Sequence, residues 1–377
     1  MNKKIIALRR ELHKYPEVSN CEYQTTDRII NFIDEYKPDE VIRLGDKGVL
    51  FVFKGAEQGE TLMFRCELDA LPIQEISGLE YTSVNKGVSH VCGHDGHMAI
   101  IVGLAREIAN DRPTKGKVIL LFQPAEEVEQ GACDVLENVN FKNNEPDYLF
   151  ALHNIPGVKK NRIVLKNGSF ASGSKGMTVQ LTGKTSHAAE PQDGISPAGA
   201  ISQIISKLHD LRSDKTLFSD FILLTIIHIQ LGEISFGTSP GYAEMRITLR
   251  AFENEDLILL TSLCEKIVKD VAKSERLACE ISYTEVFPAT MNNDVCVGIV
   301  EQASKQIGLD VEHIKMPYKW SEDFGYYTEK FNACYFGLGS GTEQPQLHNP
   351  DFDFPDDVIE TGINLFYTIY KSTFSHD

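Results

Sequence analysis

The first 170 residues of the chain alternate between helical and strand-like hydrophobic patterns. Apolar residues at helical spacing predict helices at residues 3–15, 25–36 and about 97–109. Short apolar runs predict strands at residues 48–53, 61–65, 117–122 and 148–152. Strands that alternate with helices indicate an α/β fold, with a mixed, largely parallel sheet sandwiched by helices.

The pattern changes after residue 170. Strand and helix patterns then follow in β-α-β-β-α-β order, at residues 176–181, 197–211, 222–229, 243–251, 257–272 and 279–286. That order is typical of a ferredoxin-like α+β unit, a small antiparallel sheet with two helices on one face. The first pattern resumes later, with helices near 295–306 and 356–372 and a strand at 333–337. We therefore expect a discontinuous domain of residues 1–170 and 287–377, with an inserted domain of residues 171–286.

Composition narrows the class of protein. The 377 residues carry a formal net charge of −17, which disfavours nucleic acid as a partner. No stretch approaches the roughly 18–20 uncharged apolar residues that a membrane helix needs, and residues 1–17 have the pattern of an amphipathic helix rather than of a signal peptide. The eight cysteines are scattered, so we expect reduced thiols, no membrane partner and a cytoplasmic protein.

The densest group of metal-binding residue types is His90-Val-Cys92-Gly-His94-Asp95-Gly-His97. Cys92 and His94 flank one glycine, where a bend would direct a thiolate and an imidazole to the same side. Both groups are good ligands for zinc and related metals. Short Cys/His patterns also occur by chance, so a glycine-containing loop with incidental histidines is the alternative.

Two adjacent carboxylates, Glu126 and Glu127, follow the predicted strand 117–122. Active-site groups in α/β sheets gather at the carboxyl ends of strands. One carboxylate of such a pair can bind metal while its neighbour acts as general base on a water molecule. The alternative is a solvated pair at the start of a helix.

Three more candidates belong to loops and strand ends. His153 follows the predicted strand 148–152, and His348 lies in a stretch rich in Gly and Pro. A single histidine in such a place is more often a hydrogen-bonding loop residue than a ligand. Asp69 follows the strand 61–65, where an acidic side chain can ligate metal or orient a ligand. Because most of these clusters lie at strand ends, a common site is favoured.

Eight segments, in order along almost the whole chain, resemble the M20 metallopeptidases. The resemblance is strongest to the amidohydrolase branch, which includes hippurate hydrolases, auxin-conjugate hydrolases and N-acetyl-diaminopimelate deacetylases. The segments are LRRELHKYPEVS, RCELDALPIQE, VCGHDGH, FQPAEE, ALHNIP, GKTSHAAEPQDG, SEDFGYY and LHNPDFDF. The resemblance implies a catalytic domain, a lid domain inserted in it, and a homodimer formed through the lid. It also implies two divalent metal ions per subunit: a thiolate ligand favours zinc, with manganese, cobalt or nickel as alternatives.

The resemblance assigns roles to individual residues. Glu126 matches the general base, and Asp69 matches an aspartate that orients a metal ligand. His187, in the lid, matches a histidine thought to contact the scissile carbonyl, often from the partner subunit. The positions that match metal ligands are Cys92, His94, Glu127, His153 and His348. Cys92 would bridge the two ions, where other M20 enzymes have an aspartate.

The implied reaction is hydrolysis of the amide bond of small N-acyl amino acids, to a carboxylate and a free amino acid. Gly237 stands where this branch usually has an asparagine that helps to bind substrate. Arg250 is a candidate for binding a substrate carboxylate, with a structural salt bridge as the alternative. A dipeptidase or carboxypeptidase on the same scaffold is a second hypothesis. A non-catalytic member that binds small ligands is a third, disfavoured because Glu126 and every ligand position are filled.

Overall fold

The computed structural model describes residues 3–214 and 216–374. Its helices are α1 (Lys3–Lys14), α2 (Tyr23–Ile33), α3 (His94–Asn110), α4 (Gly131–Glu137), α5 (Val139–Lys142), α6 (Ala198–Ser213), α7 (Asn254–Ser274), α8 (Asp294–Gln306), α9 (Gly325–Thr328) and α10 (Ile359–Phe374). Its strands are β1 (Glu40–Leu44), β2 (Gly48–Lys54), β3 (Glu57–Glu67), β4 (Lys115–Gln123), β5 (Tyr148–Pro156), β6 (Ile163–Leu165), β7 (Gly168–Ala171), β8 (Gly173–Thr182), β9 (Ser186–His187), β10 (Ile222–Leu231), β11 (Thr238–Ser239), β12 (Tyr242–Ala251), β13 (Ala278–Phe287), β14 (Thr290–Asn292), β15 (Val311–His313) and β16 (Asn332–Gly341).

The chain forms two compact units. The first contains the residues up to Phe170, Thr290–Met316 and the residues from Asp323 onward, and the second contains Ala171–Ala289 and Pro317–Glu322. The second unit therefore includes residues 287–289 and 317–322 in addition to the expected insertion. Residues 317–322 belong there because the amide of Ser172 donates to the carbonyl oxygens of Tyr318 and Trp320, at 3.0 and 3.1 Å.

The first unit is built on a mixed sheet with the strand order β1-β2-β4-β3-β5-β16-β6-β15. The four central strands, β4, β3, β5 and β16, run parallel, whereas β1 and β2 are antiparallel to their neighbours. The carboxyl ends of the parallel strands consequently meet at one edge of the sheet, where ligand sites of α/β proteins form.

The central strands are apolar on both faces because both faces are covered. Phe51, Phe64, Leu120, Phe150 and Phe336 are fully buried in one continuous core with apolar residues of α1, α2, α3, α8 and α10. Burying a side chain of this size contributes about 1.5–3 kcal/mol. The uninterrupted apolar runs therefore mark strands buried on two sides, and the predicted α/β fold class is confirmed.

The second unit has an antiparallel sheet with the strand order β10-β12-β8-β13. Along β8, Met177, Val179 and Leu181 are buried and alternate with partly exposed residues. These side chains form a second core with the apolar faces of α6 and α7. The predicted β-α-β-β-α-β order and its two covering helices are present.

Several elements differ from the predictions. β3 begins at Glu57 rather than at residue 61, and β5 continues to Pro156 rather than ending at residue 152. A 3-10 turn occupies Asp356–Val358, so that α10 begins at Ile359. Across residues 3–214 and 216–374, no helix combines the length and the apolar character required to cross a membrane.

Candidate metal centre

The chemically reactive residues of the first unit lie at the carboxyl edge of its parallel strands. β3 leads into Asp69, and β4 leads into Glu126 and Glu127. His153 lies inside β5 rather than after it, because the strand continues for three more residues. Cys92 precedes α3, and His94 is its first residue.

The structure brings the five predicted ligands together. Their donor atoms form two groups, Cys92–His94–His153 and Cys92–Glu127–His348, and within each group all atoms lie within 4.8 Å of one another. Cys92 Sγ lies 3.4 Å from His153 Nε2, and His348 Nε2 lies 3.7 Å from Glu127 Oε2. Two ligands of one tetrahedral zinc ion are roughly 3.5 Å apart. The two groups therefore have the spacing of metal ligands and share one thiol.

Backbone carbonyls fix the tautomers of two of these histidines. His94 Nδ1 donates to the carbonyl oxygen of Asp69 at 2.9 Å, and His153 Nδ1 donates to the carbonyl oxygen of Asn154 at 2.9 Å. In both rings Nε2 is then the nitrogen that faces the site. His94 Nε2 is buried and has no hydrogen-bond partner among the described residues. Ligand histidines are typically held in this way, so the residues fit a metal ion.

Charge and burial act differently on the three histidine rings. Burial opposes protonation of His94, but its hydrogen bond with Asp69 and the charges of Glu67 and Glu127 raise its pKa to about 10. Burial lowers the pKa of His153 well below its usual value and also lowers that of His348. His153 and His348 are thus neutral at neutral pH, which is the form that binds metal. A bound cation would balance the negative charge of the carboxylates around His94, which are Glu67, Asp69 and Glu127.

A tight loop after β4 presents the two glutamates. Glu126 is nearly buried, and its Oε2 lies 3.9 Å from His94 Nε2. Ala125 has a φ of +54°, an uncommon conformation for a residue with a side chain. The amide of Glu127 donates to Asp69 Oδ2 at 2.9 Å. Asp69 therefore contacts the main chain of one candidate ligand and the ring of another.

A hydrogen-bonded layer beneath the site was not predicted from the sequence. His97 Nδ1 donates to Glu67 Oε2 at 2.7 Å, and its Nε2 lies 2.7 Å from Asn154 Oδ1. Asn154 also packs against Gly93, where a Cβ atom would overlap Asn154 Oδ1 and where φ is +97°. Only glycine suits that position between Cys92 and His94. The only sign of this role in the sequence is that Asn154 directly follows the candidate ligand His153.

The remaining predicted site residues lie in the second unit. His187 is exposed on β9, and its Nδ1 accepts the amide of Ala189 at 3.1 Å, which leaves the ring proton on Nε2. Arg250 Nη1 donates to the carbonyl oxygen of Lys319 at 3.0 Å and to Ser321 Oγ at 2.9 Å. Gly237 is exposed, and its carbonyl oxygen accepts the amide of Ala188 at 3.0 Å.

Comparison with known proteins identifies the family to which the chain belongs. Residues 63–372, more than half of the chain, match the family model of peptidase family M20/M25/M40. The chain belongs to peptidase family M20. The predicted family is therefore confirmed, and so is the prediction of a metal-dependent hydrolase that acts on amide bonds.

This M20 chain is similar over nearly its whole length to proteins with named activities. It is 30% identical to an N-acetylcysteine deacetylase of Bacillus subtilis over 370 residues, which cover 96% of this chain and 95% of the relative. It is 28% identical to a hippurate hydrolase of Campylobacter jejuni over 361 residues, 95% of this chain and 94% of the relative. Its fold superposes on that of the B. subtilis YXEP protein, a dinuclear metal-binding peptidase of the M20 family, with a TM-score of 0.86 and 27% identity, covering 99% and 98% of the two chains.

Proposed function

We propose that the protein hydrolyses the amide bond of small N-acyl amino acids, with two divalent metal ions held around Cys92. The observation that carries the proposal is the pair of ligand groups that share the Cys92 thiol, with Glu126 beside them. Relatives similar over nearly their whole length include an N-acetylcysteine deacetylase and a hippurate hydrolase. The named activities of these two relatives differ, so the acyl group of the substrate is left to the hydrolysis screen.

The two ligand groups divide the metal binding between them. His94 and His153 would hold one ion, Glu127 and His348 the other, and the Cys92 thiolate would bridge them. A bridging thiolate favours zinc, and manganese, cobalt and nickel are the alternatives. Bound ions of this kind supply Lewis-acid polarisation of the amide carbonyl and make water acidic enough to be deprotonated near neutral pH.

Glu126 is the proposed general base. Its Oε2 lies 3.9 Å from His94 Nε2, and Glu126 belongs to neither of the two ligand groups that share Cys92. It would accept a proton from the attacking water and return it to the nitrogen of the leaving amine. Asp69 would orient the ring of His94 and the main chain of Glu127, since it contacts both.

The second unit would supply groups for the substrate. His187 carries its ring proton on Nε2, as a donor to a developing oxyanion requires. Arg250 remains a proposed carboxylate-binding group, although its Nη1 already holds residues 319 and 321. Gly237 has no side-chain amide. We therefore expect it to bind the substrate more weakly than the asparagine that this branch of the family usually has at that position.

Two further properties belong to the proposal. A homodimer through the second unit is supported by β10, an edge strand whose Ile227, Ile229 and Leu231 are exposed. A reducing compartment such as the cytoplasm is supported by the eight cysteines, all within the described residues and none in a disulfide.

The test is a hydrolysis screen. The purified protein is incubated with N-acetyl, N-benzoyl and indole-acyl amino acids and with dipeptides, each with zinc, with manganese or with a chelator, and released amine is measured. We expect metal-dependent release from at least one N-acyl series. Dipeptides cleaved in preference to every N-acyl substrate would instead establish a dipeptidase.

The matched control is Glu126→Ala, purified in the same way. It should keep its metal and lose most of its turnover, which would also exclude a contaminating hydrolase as the source of activity. Near-native activity of Glu126→Ala would rule out the proposed base. No hydrolysis of any substrate by the metal-loaded protein would favour the binding-only hypothesis.

A further inference from the structure

A turn ahead of α2 contacts the candidate site from outside the motifs that bear the ligands. Residues 18–22, called here the 18–22 brace, begin with Val18, which forms a parallel β-bridge with Ala70. Ser19 Oγ then donates to Asp69 Oδ2 at 2.7 Å. The brace thus fixes the carboxylate that contacts His94 and Glu127.

The last residue of the brace, Glu22, reaches the loop that carries the glutamates. Its side chain is fully buried, and its Oε1 accepts the amide of Ala125 at 2.7 Å. Glu22 occupies the N-cap position of α2 but makes no capping hydrogen bond. Glu17 caps the helix instead, because its Oε2 accepts the amide of Thr25 at 2.7 Å. The Glu22 carboxyl therefore binds the loop and does not cap its own helix.

The loop depends on such anchors. Ala125, with φ at +54°, directly precedes Glu126, and the amide of Glu127 is bound by Asp69. Two buried carboxyl groups, Glu22 and Asp69, thus hold the amides on either side of Glu126. A non-glycine residue at positive φ persists only where its surroundings hold it there.

We infer that Glu22 is a positioning residue for Glu126, acting through the amide of Ala125. The inference rests on the proposed role of Glu126 as general base. Without an acceptor at Glu22, the buried Ala125 amide loses its partner, and the loop can relax toward a negative φ. A displacement of about 1 Å of a catalytic group can cost about 100-fold in rate.

Three substitutions of Glu22 separate its hydrogen bond from its bulk. Glu22→Met keeps the length of the side chain without an acceptor, and Glu22→Asp keeps a carboxyl that is too short to reach Ala125. Glu22→Gln keeps the oxygen at the position of Oε1. Burial and the charge of Asp69 raise the pKa of Glu22 to about 7, so a neutral amide is a fair substitute near neutral pH.

We expect kcat to fall about 10- to 100-fold in Glu22→Met and Glu22→Asp, with KM and metal content unchanged, and to be restored in Glu22→Gln. Hydrogen exchange measured by mass spectrometry should be faster over residues 124–127 in the first two variants only. The control is Glu17→Ala, which removes the cap of α2 and should lower the melting temperature without lowering kcat.

Native kcat in a folded, metal-loaded Glu22→Met or Glu22→Asp variant would overturn the inference, as would equal losses in Glu22→Gln and Glu22→Met. Glu126→Ala, assayed alongside, keeps the two proposals distinct. If Glu126→Ala retains activity, the assignment of the base fails. If Glu126→Ala is inactive while all Glu22 variants are native, only the role of Glu22 fails.

Discussion

At the scale of single residues, Cys92 is the candidate ligand that the two ligand groups share. It belongs to both ligand groups, whereas each of the other four candidate ligands belongs to one of these two. Its side chain is almost fully buried and lies 3.4 Å from the Nε2 atom of His153. The loss of its thiol should therefore affect both proposed ions, whereas the loss of His348 should affect one.

We predict that Cys92→Ala binds less metal than the native protein. Removing a shared ligand leaves two protein ligands in each group, too few for a stable site. Metal content per chain, measured by mass spectrometry after gel filtration, should fall by at least one ion. Cys92→Asp should retain both ions, because a carboxylate can also bridge.

The control for this prediction is Cys296→Ala. Cys296, on α8, is fully buried, and it belongs to none of the groups of possible ligands in the described residues. Its substitution should leave the metal content unchanged. Full metal occupancy in Cys92→Ala would contradict the bridging role.

Some residues of the site could be predicted from the sequence, and others could not. The candidate ligands are chemically conspicuous and lie in motifs that resemble a family, so they could be named in advance. Glu22 and Asn154 could not, because their partners Ala125 and His97 are 103 and 57 positions away. A buried carboxyl or amide that binds a distant main chain has no local sequence pattern.

At the scale of elements, segments with a clear hydrophobic pattern were predicted well and the shortest strands were not. β2, β4 and α3 agree with the predictions to within a few residues, since each has a clear apolar pattern. β6 and β15 have three residues each, too few to establish a period. His153 was expected after its strand because polar residues follow residue 152, yet β5 continues through Asn154 as an inner strand.

Elements are also joined by buried charge. His13 of α1 contacts Asp95 of α3 through Nδ1 at 2.8 Å, and Glu75 through Nε2 at 3.2 Å. Burial opposes protonation of His13, but the hydrogen bonds with Asp95 and Glu75 raise its pKa from 6.5 to about 9. The charged ring therefore holds α1 against the start of α3.

We predict that this contact makes stability depend on pH. A raised pKa contributes its full stability below the unfolded value of about 6.5 and loses it as pH rises to about 9. The difference in unfolding free energy between the native protein and His13→Gln should thus shrink by roughly 3 kcal/mol between these values. Denaturant titrations of both proteins across this range, at one metal concentration, measure it.

His209→Gln serves as the control, because His209 is exposed on α6. A difference for His13→Gln that is flat, or that grows with pH, would show that His13 is not protonated in the folded protein.

At the scale of the whole molecule, β10 is an edge strand of the antiparallel sheet in the second unit. β10 pairs with β12 on one side, and Ile227, Ile229 and Leu231 are 63%, 39% and 41% exposed. An exposed apolar edge strand tends to pair with another chain. Two copies could pair their β10 strands around a twofold axis, because such an interface is self-complementary.

We predict that the protein is a dimer in solution and that Ile227→Lys makes it a monomer. A lysine on an edge strand opposes pairing because its charge would be buried in the interface. Ile258→Lys is the matched control, since Ile258 is 66% exposed on α7 of the same unit, and it should stay dimeric. Light scattering coupled to gel filtration gives the mass of each protein. A native protein that is monomeric at micromolar concentration would contradict the dimer, and a dimer retained by Ile227→Lys would move the interface away from β10.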